Sequence, residues 1–156
     1  MDYNKLKKNI QKRLNQRAKD NAHHSINESH AVDESQNATP GKVALCITVP
    51  KTIPWSDYEK ELDDVRDGMM EMNYRVPSYP KQISVGDRCY VVHNGMIRGW
   101  MSITGIEERE ESFQCQTTGR TWTSGIYIKR SGPFHYLKHP IPMKGFMGYK
   151  YIQEID

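Results

Sequence analysis

The stretch GDRCYVVHNGMIRGWMSITGI, residues 86–106, carries the clearest pattern in the chain. An apolar run from Cys89 to Val92 leads into His93, Asn94 and Gly95, and a second climbs through Ile97, Trp100, Ile103 and Ile106. Asn-Gly between two such runs predicts a two-residue hairpin turn, because both residues tolerate the positive φ of a type I′ turn. Gly99 inside the second run marks a place where another backbone or a ligand approaches closely. Arg98 and Trp100, two apart on a strand, are expected on one face beside that gap.

Working outward, Val43 to Val49 has strand length and composition. Ser56 and Glu59 match a capping box. The helix they open is expected to bury Tyr58, Leu62, Val65, Met69 and Met72, with its acids turned to solvent or near the positive helix end. Pro77 and Pro80 break the chain before the hairpin. After it, Glu107 to Glu111 reads as a turn and Phe113 to Gln116 as an edge strand. Residues 117–125 (TTGRTWTSG) read as a polar loop holding one large aromatic, and Ile126 to Ile128 as a strand. Pro133, Pro140 and Pro142 punctuate the segment after that strand, and Phe146 to Ile155 closes the chain as a last strand. The expected fold is α+β: a closed or half-closed small barrel of five to six strands with one or two helices.

The chain divides at residue 42. Residues 3–20 place Leu6, Ile10, Leu14 and Ala18 four apart among polar side chains, a narrow one-stripe helix. Residues 21–42 are polar, end in Pro-Gly and read as a flexible linker. Residues 1–42 are therefore expected to be a basic helical tail and linker, dispensable for folding, and residues 43–156 the domain. His23, His24 and His30 have no fixed backbone to hold a metal. In a chain of 156 residues only 37% are hydrophobic, consistent with a part that joins no core. Cys46, Cys89 and Cys115 lie too far apart for metal-ligand spacing and read as buried thiols in a reducing cytoplasm. No run nears the roughly 18 apolar residues of a membrane helix, and the charged start does not read as a secretory signal.

The net charge of +3 conceals a strong polarity. Residues 1–20 hold seven basic side chains against two acidic ones, and residues 56–72 hold seven acids against Lys60 and Arg66. Residues 120–151 hold Arg120, Lys129, Arg130, Lys138, Lys144 and Lys150 with no acid.

Gly86-Asp87 entering RCYVVHNG, followed by IRGWMSITGI, resembles the central hairpin of the PUA-like superfamily, including its ASCH and EVE branches. The segment PIPMKGFMGYKYI suits the closing strand of such a domain. The resemblance covers residues 43–155 and implies a pseudo-barrel with a nucleic-acid-related role, since many such domains bind RNA or cradle a modified base. The G-x-K-x-x-E-x-R signature of ASCH hydrolases is missing: Gly41-Lys42-Val43-Ala44 lacks it, and Lys51 to Trp55 lacks its Glu and Arg.

There is no P-loop, dinucleotide fingerprint, nucleophile elbow or HExxH run. His135 and His139 are four apart, but in a Gly/Pro-bounded segment where helical ligand geometry is not available. No metal and no cofactor are expected. The acid-free stretch 120–151 interleaves cations with Trp122, Tyr127, Phe134, Tyr136, Phe146, Tyr149 and Tyr151, a composition that suits phosphates and unpaired bases. Tyr127, Phe146 and Tyr151 are expected to fill the core instead, whereas Arg120 and Trp122 stand open between core and site. The candidate nucleic-acid-binding residues are Arg98, Trp100, Arg120, Thr121, Trp122, Ser124, Lys129 and Lys144. The expected partner is RNA or DNA, single-stranded or bearing a modified base. One alternative is a small hydrolase of a modified nucleoside or amide, using Lys144, His93 or Thr121. Another is an interaction or inhibitor protein that offers its acidic helix to a protein partner.

Overall fold

The computed structural model describes residues 37–155. The expectations for residues 1–36, including the one-stripe helix, most of the linker and the three histidines, lie outside the described residues.

The hairpin forms as its sequence requires. Strand β3 (Arg88–His93) turns through Asn94 and Gly95, at φ 51° and 77°, into β4 (Met96–Arg109). Strand β1 (Val43–Thr48) runs parallel to β3, and helix α1 (Trp55–Val65) with β2 (Met72–Val76) fills the crossover that a parallel pair needs. After β4 come a small ribbon, β5 (Phe113–Gln114) with β6 (Thr121–Trp122), then β7 (Gly125–Pro142) and β8 (Tyr149–Gln153). The main sheet has six strands in the order β2-β7-β4-β3-β1-β8.

This α+β sheet is open and does not close into the expected barrel: β2 and β8 remain edges with no backbone ladder between them. It curls far enough for side chains to bridge the seam. The Tyr74 hydroxyl of β2 lies 3.2 Å from the Gly148 carbonyl and 3.4 Å from that of Thr48, and the Ser78 and Tyr149 hydroxyls are 2.9 Å apart. A ladder requires strands about 4.8 Å apart; here a tyrosine side chain spans the gap.

Both faces of the sheet are covered. On one, Leu45, Ile47, Val91, Met101, Ile103 and Ile128 pack with Tyr58, Leu62 and Val65 of α1. Fully burying a side chain such as Leu62 contributes about 1.5–3 kcal/mol. On the other, Ala44, Cys46, Tyr90, Val92, Ile97, Trp100 and Leu137 pack with Ile152 and Ile155 from the C-terminal segment.

Several local expectations are corrected. Helix α1 ends at Val65, so Met69 lies beyond it, and Met72 is buried from β2. It starts one residue before Ser56, with Pro54 at the N-cap and no side-chain cap, so the capping box is not made. Glu107 to Arg109 extend β4. Strand β7 passes through Pro133 and Pro140 because both fall in bulges, where no ladder amide is needed. Linker residues 39–42 are tied to the domain: the Thr39 amide donates to Glu154 Oε2 at 2.6 Å, and the Glu154 amide donates to the Lys42 carbonyl. Among the described residues no helix is long and apolar enough to cross a membrane.

Candidate nucleic-acid interface

The long pair β4–β7 creates the site by falling out of step. Gly99 faces Tyr136 and Ile97 faces Ile141, so the four residues Leu137 to Pro140 stand opposite Arg98 alone. On its other side β4 also skips Arg98, since Val91 faces Gly99 and Val92 faces Ile97. A residue left over in both registers shifts the alternation of the strand by one. Arg98 therefore points toward Trp55 and the helix, whereas Ile97 and Trp100 share the opposite face. The expectation that Arg98 and Trp100 face one way is overturned by this bulge. Gly99 between them admits the β7 backbone and no ligand: a Cβ there would lie 2.3 Å from the His135 carbonyl oxygen.

The excess residues of β7 border a cleft of about 600 Å³ lined by Asn37, Trp100, His135, Tyr136, Leu137, Lys138, His139 and Ile155. Trp100 forms its floor, only 6% exposed. The Arg88 guanidinium from β3 sits 4.0 Å from its ring centre, and the His135 imidazole from β7 stacks at 4.1 Å. Since β3 and β7 flank β4, the indole lies between the two. Arg88 is also ion-paired to Glu154 at 3.7 Å, with both side chains buried. Burial, then the Arg88 charge, holds the His135 pKa below the ordinary imidazole value. Lys138 and His139 are exposed on the rim, and among the described residues neither Lys138 nor Lys144 has a carboxylate within 4 Å.

Tyr136, 53% exposed, projects to the helix side. Its hydroxyl accepts a hydrogen bond from Trp55 Nε1 at 3.2 Å, and Trp55 also packs on Tyr58, His93 and Phe134. Burial raises the Tyr136 pKa, with Glu59 and Asp63 of α1 adding to the shift, so the helix side of this patch is acidic and the cleft side basic.

The sequence candidates fall in separate places. Trp100 lines the cleft, and Arg98 lies behind the sheet with its Nε buried. Arg120 and Thr121 are exposed on the β5–β6 ribbon. Trp122 lies in that ribbon and not in a loop, half-buried with its ring 5.4 Å from Tyr127 and 6.5 Å from Phe113. Ser124 borders a second cleft beside Glu108 and Glu110, whose charges oppose phosphate. Lys129 is buried and ion-paired to Glu107 at 3.2 Å, so its cation is already engaged. Lys144 is exposed in the connection after β7. The ribbon and the cleft join β7 ten residues apart, about 30 Å along a strand. Sequence reading passed over Trp55, Arg88 and His135 as site residues, because their partners come from other strands. It also passed over Arg130, 2% exposed, whose Nη1 donates to Tyr58 at 2.8 Å inside the core.

Residues 43–153 thus define a curled, two-faced α+β sheet with a basic aromatic cleft on one side. Comparison of the chain with protein-family models, curated proteins and solved structures finds no match.

Proposed function

We propose that the domain binds single-stranded nucleic acid in the cleft bordered by His135 to His139. The observation that carries this reading is the β7 excess at Leu137–Pro140, which presents Lys138 and His139 beside the His135–Trp100 stack and the exposed Tyr136 ring. Cations there attract phosphates, and an exposed ring stacks a base for about 1–3 kcal/mol. Because Trp100 is covered by Arg88 and His135, the stacking surface is the exposed Tyr136 ring, which Trp55 and Phe134 support from the helix side. The internal phosphates run along Lys138 and His139 on the cleft side, and one base reaches Tyr136 at the margin with the helix side. The resemblance drawn from the sequence of residues 43–155 implies the same class of ligand.

Fluorescence anisotropy with labelled single-stranded RNA and DNA at several salt concentrations tests it. Affinity should fall with salt, Lys138→Gln should lower the salt slope by about one counterion, and Tyr136→Ala should weaken binding by about 1–3 kcal/mol. Absence of salt-dependent binding for both nucleic acids rejects the proposal. The hydrolase alternative gains no support: His93 is buried behind Trp55, Thr121 lies on the ribbon and Lys144 lies beyond β7.

A further inference from the structure

Helix α1 begins without a side-chain cap, and the amides of Trp55 and Ser56 have no partner among the described residues. Two residues packed on the side chain of Trp55, the first residue of this helix, carry buried polar atoms that also lack partners, Nδ1 of His93 and Nε of Arg98. Both residues lie against Trp55: the His93 ring is 5.3 Å from the indole and the Arg98 guanidinium carbon 5.8 Å. His93 is 6% exposed, and its Nε2 lies 2.8 Å from the Ile53 carbonyl oxygen. A carbonyl only accepts, so Nε2 carries the hydrogen and Nδ1 of the neutral ring is a bare acceptor. Arg98 is a donor, and among the described residues no carboxylate lies within 4 Å of it. Helix amides, a guanidinium and one acceptor together suit an anion that also bears a hydroxyl.

We propose that this corner binds a phosphate monoester. Its charged oxygens accept hydrogen bonds from Arg98 and the open amides of α1, and the hydroxyl of its monoanion donates to His93 Nδ1. The Trp55 indole packs against both residues as well as Tyr58 and Phe134, bonds the exposed Tyr136, and has to shift for the ligand to enter. Tyr136 also lines the cleft, so, on the nucleic-acid reading above, the phosphate is the terminal 5′-phosphate of the bound strand. The same chemistry fits a free nucleotide.

The test compares one oligonucleotide with and without a 5′-phosphate, alongside a nucleoside 5′-monophosphate and inorganic phosphate. Anisotropy reports the strands and indole fluorescence the small ligands, with Trp55→Phe assigning the signal. The phosphorylated strand should bind about tenfold tighter, the scale of one charge-assisted bond. Arg98→Gln should remove that difference while leaving the 5′-hydroxyl strand unchanged, and Arg98→Lys, which keeps charge and bulk, should retain part of it. If both strands bind equally and neither small ligand perturbs Trp55, the phosphate site is overturned while the nucleic-acid reading stands. If neither strand binds but the nucleotide perturbs Trp55, the cleft reading fails and the phosphate site stands as a nucleotide site. Silence in all arms rejects both.

Discussion

Arg98 and Trp100, two residues apart on β4, lie on opposite faces of the sheet, one against Trp55 and the other between Arg88 and His135. Gly99 between them makes this possible, because β7 passes where a side chain would be. Gly99→Ala should therefore cost at least the about 3 kcal/mol at the upper end of ordinary overpacking, since the obstruction is the His135 carbonyl and not a flexible side chain. Gly95→Ala is the comparison: it meets open space and has only its φ of 77° against it, about 1–2 kcal/mol. Chemical denaturation of both variants checks the order, and equal losses would mean that β7 yields.

The Arg88–Glu154 pair is predicted to matter through what its loss leaves behind. Both side chains are buried, at 5% and 4% exposure, and Arg88 also supports Trp100. Glu154→Gln removes the carboxylate from a buried guanidinium that keeps the Tyr90 hydroxyl and the Trp100 ring, so the loss should fall below the about 3–5 kcal/mol of a fully stranded charge. It also weakens the tie to the Thr39 amide. A fall in thermal midpoint of only a degree or two would show that water reaches Arg88.

Stability should depend on pH through His135. Its pKa is lowered in the folded state by burial and Arg88, whereas the unfolded chain keeps the ordinary value of about 6.5. Above that pH both states are neutral there and nothing is at stake. Below it the unfolded state binds the proton first, so stability is lost as pH falls toward the lower folded value. Melting curves between pH 8 and 5.5 should show this loss in wild type and a smaller one in His135→Gln; parallel curves would remove the effect.

Trp122→Ala separates the ribbon from the cleft. The ring is half-buried and packs edge-on against Tyr127, so truncation should cost about 1–2 kcal/mol, well short of the about 3–5 kcal/mol of a fully buried Trp. Nucleic-acid affinity should be unchanged, because the ribbon lies far along β7 from Tyr136. Weakened binding at unaltered stability would return the ribbon to the interface.

What the sequence determined alone is local. Asn94-Gly95 selects its turn by tolerance of positive φ, the run at 43–48 and the strand before the turn carry continuous apolar side chains, and Tyr58, Leu62 and Val65 fall on one helical face. Five of the six main strands and the one helix were within reach of such signals; β2 was not, because Met72 fits the spacing of the helix face. The tertiary structure decided the rest. The strand through Pro133 and Pro140 is allowed by bulges, and bulges arise where two long strands must bend to cover both faces of a core. Lys129 looked like a free cation until Glu107, on the neighbouring strand, faced it. Trp100 looked like a surface aromatic until Arg88 and His135 closed on it from two other strands. Which face a side chain takes, and whether its charge is already met, depends on residues tens of positions away, and only the folded registers of β3, β4 and β7 bring those residues together.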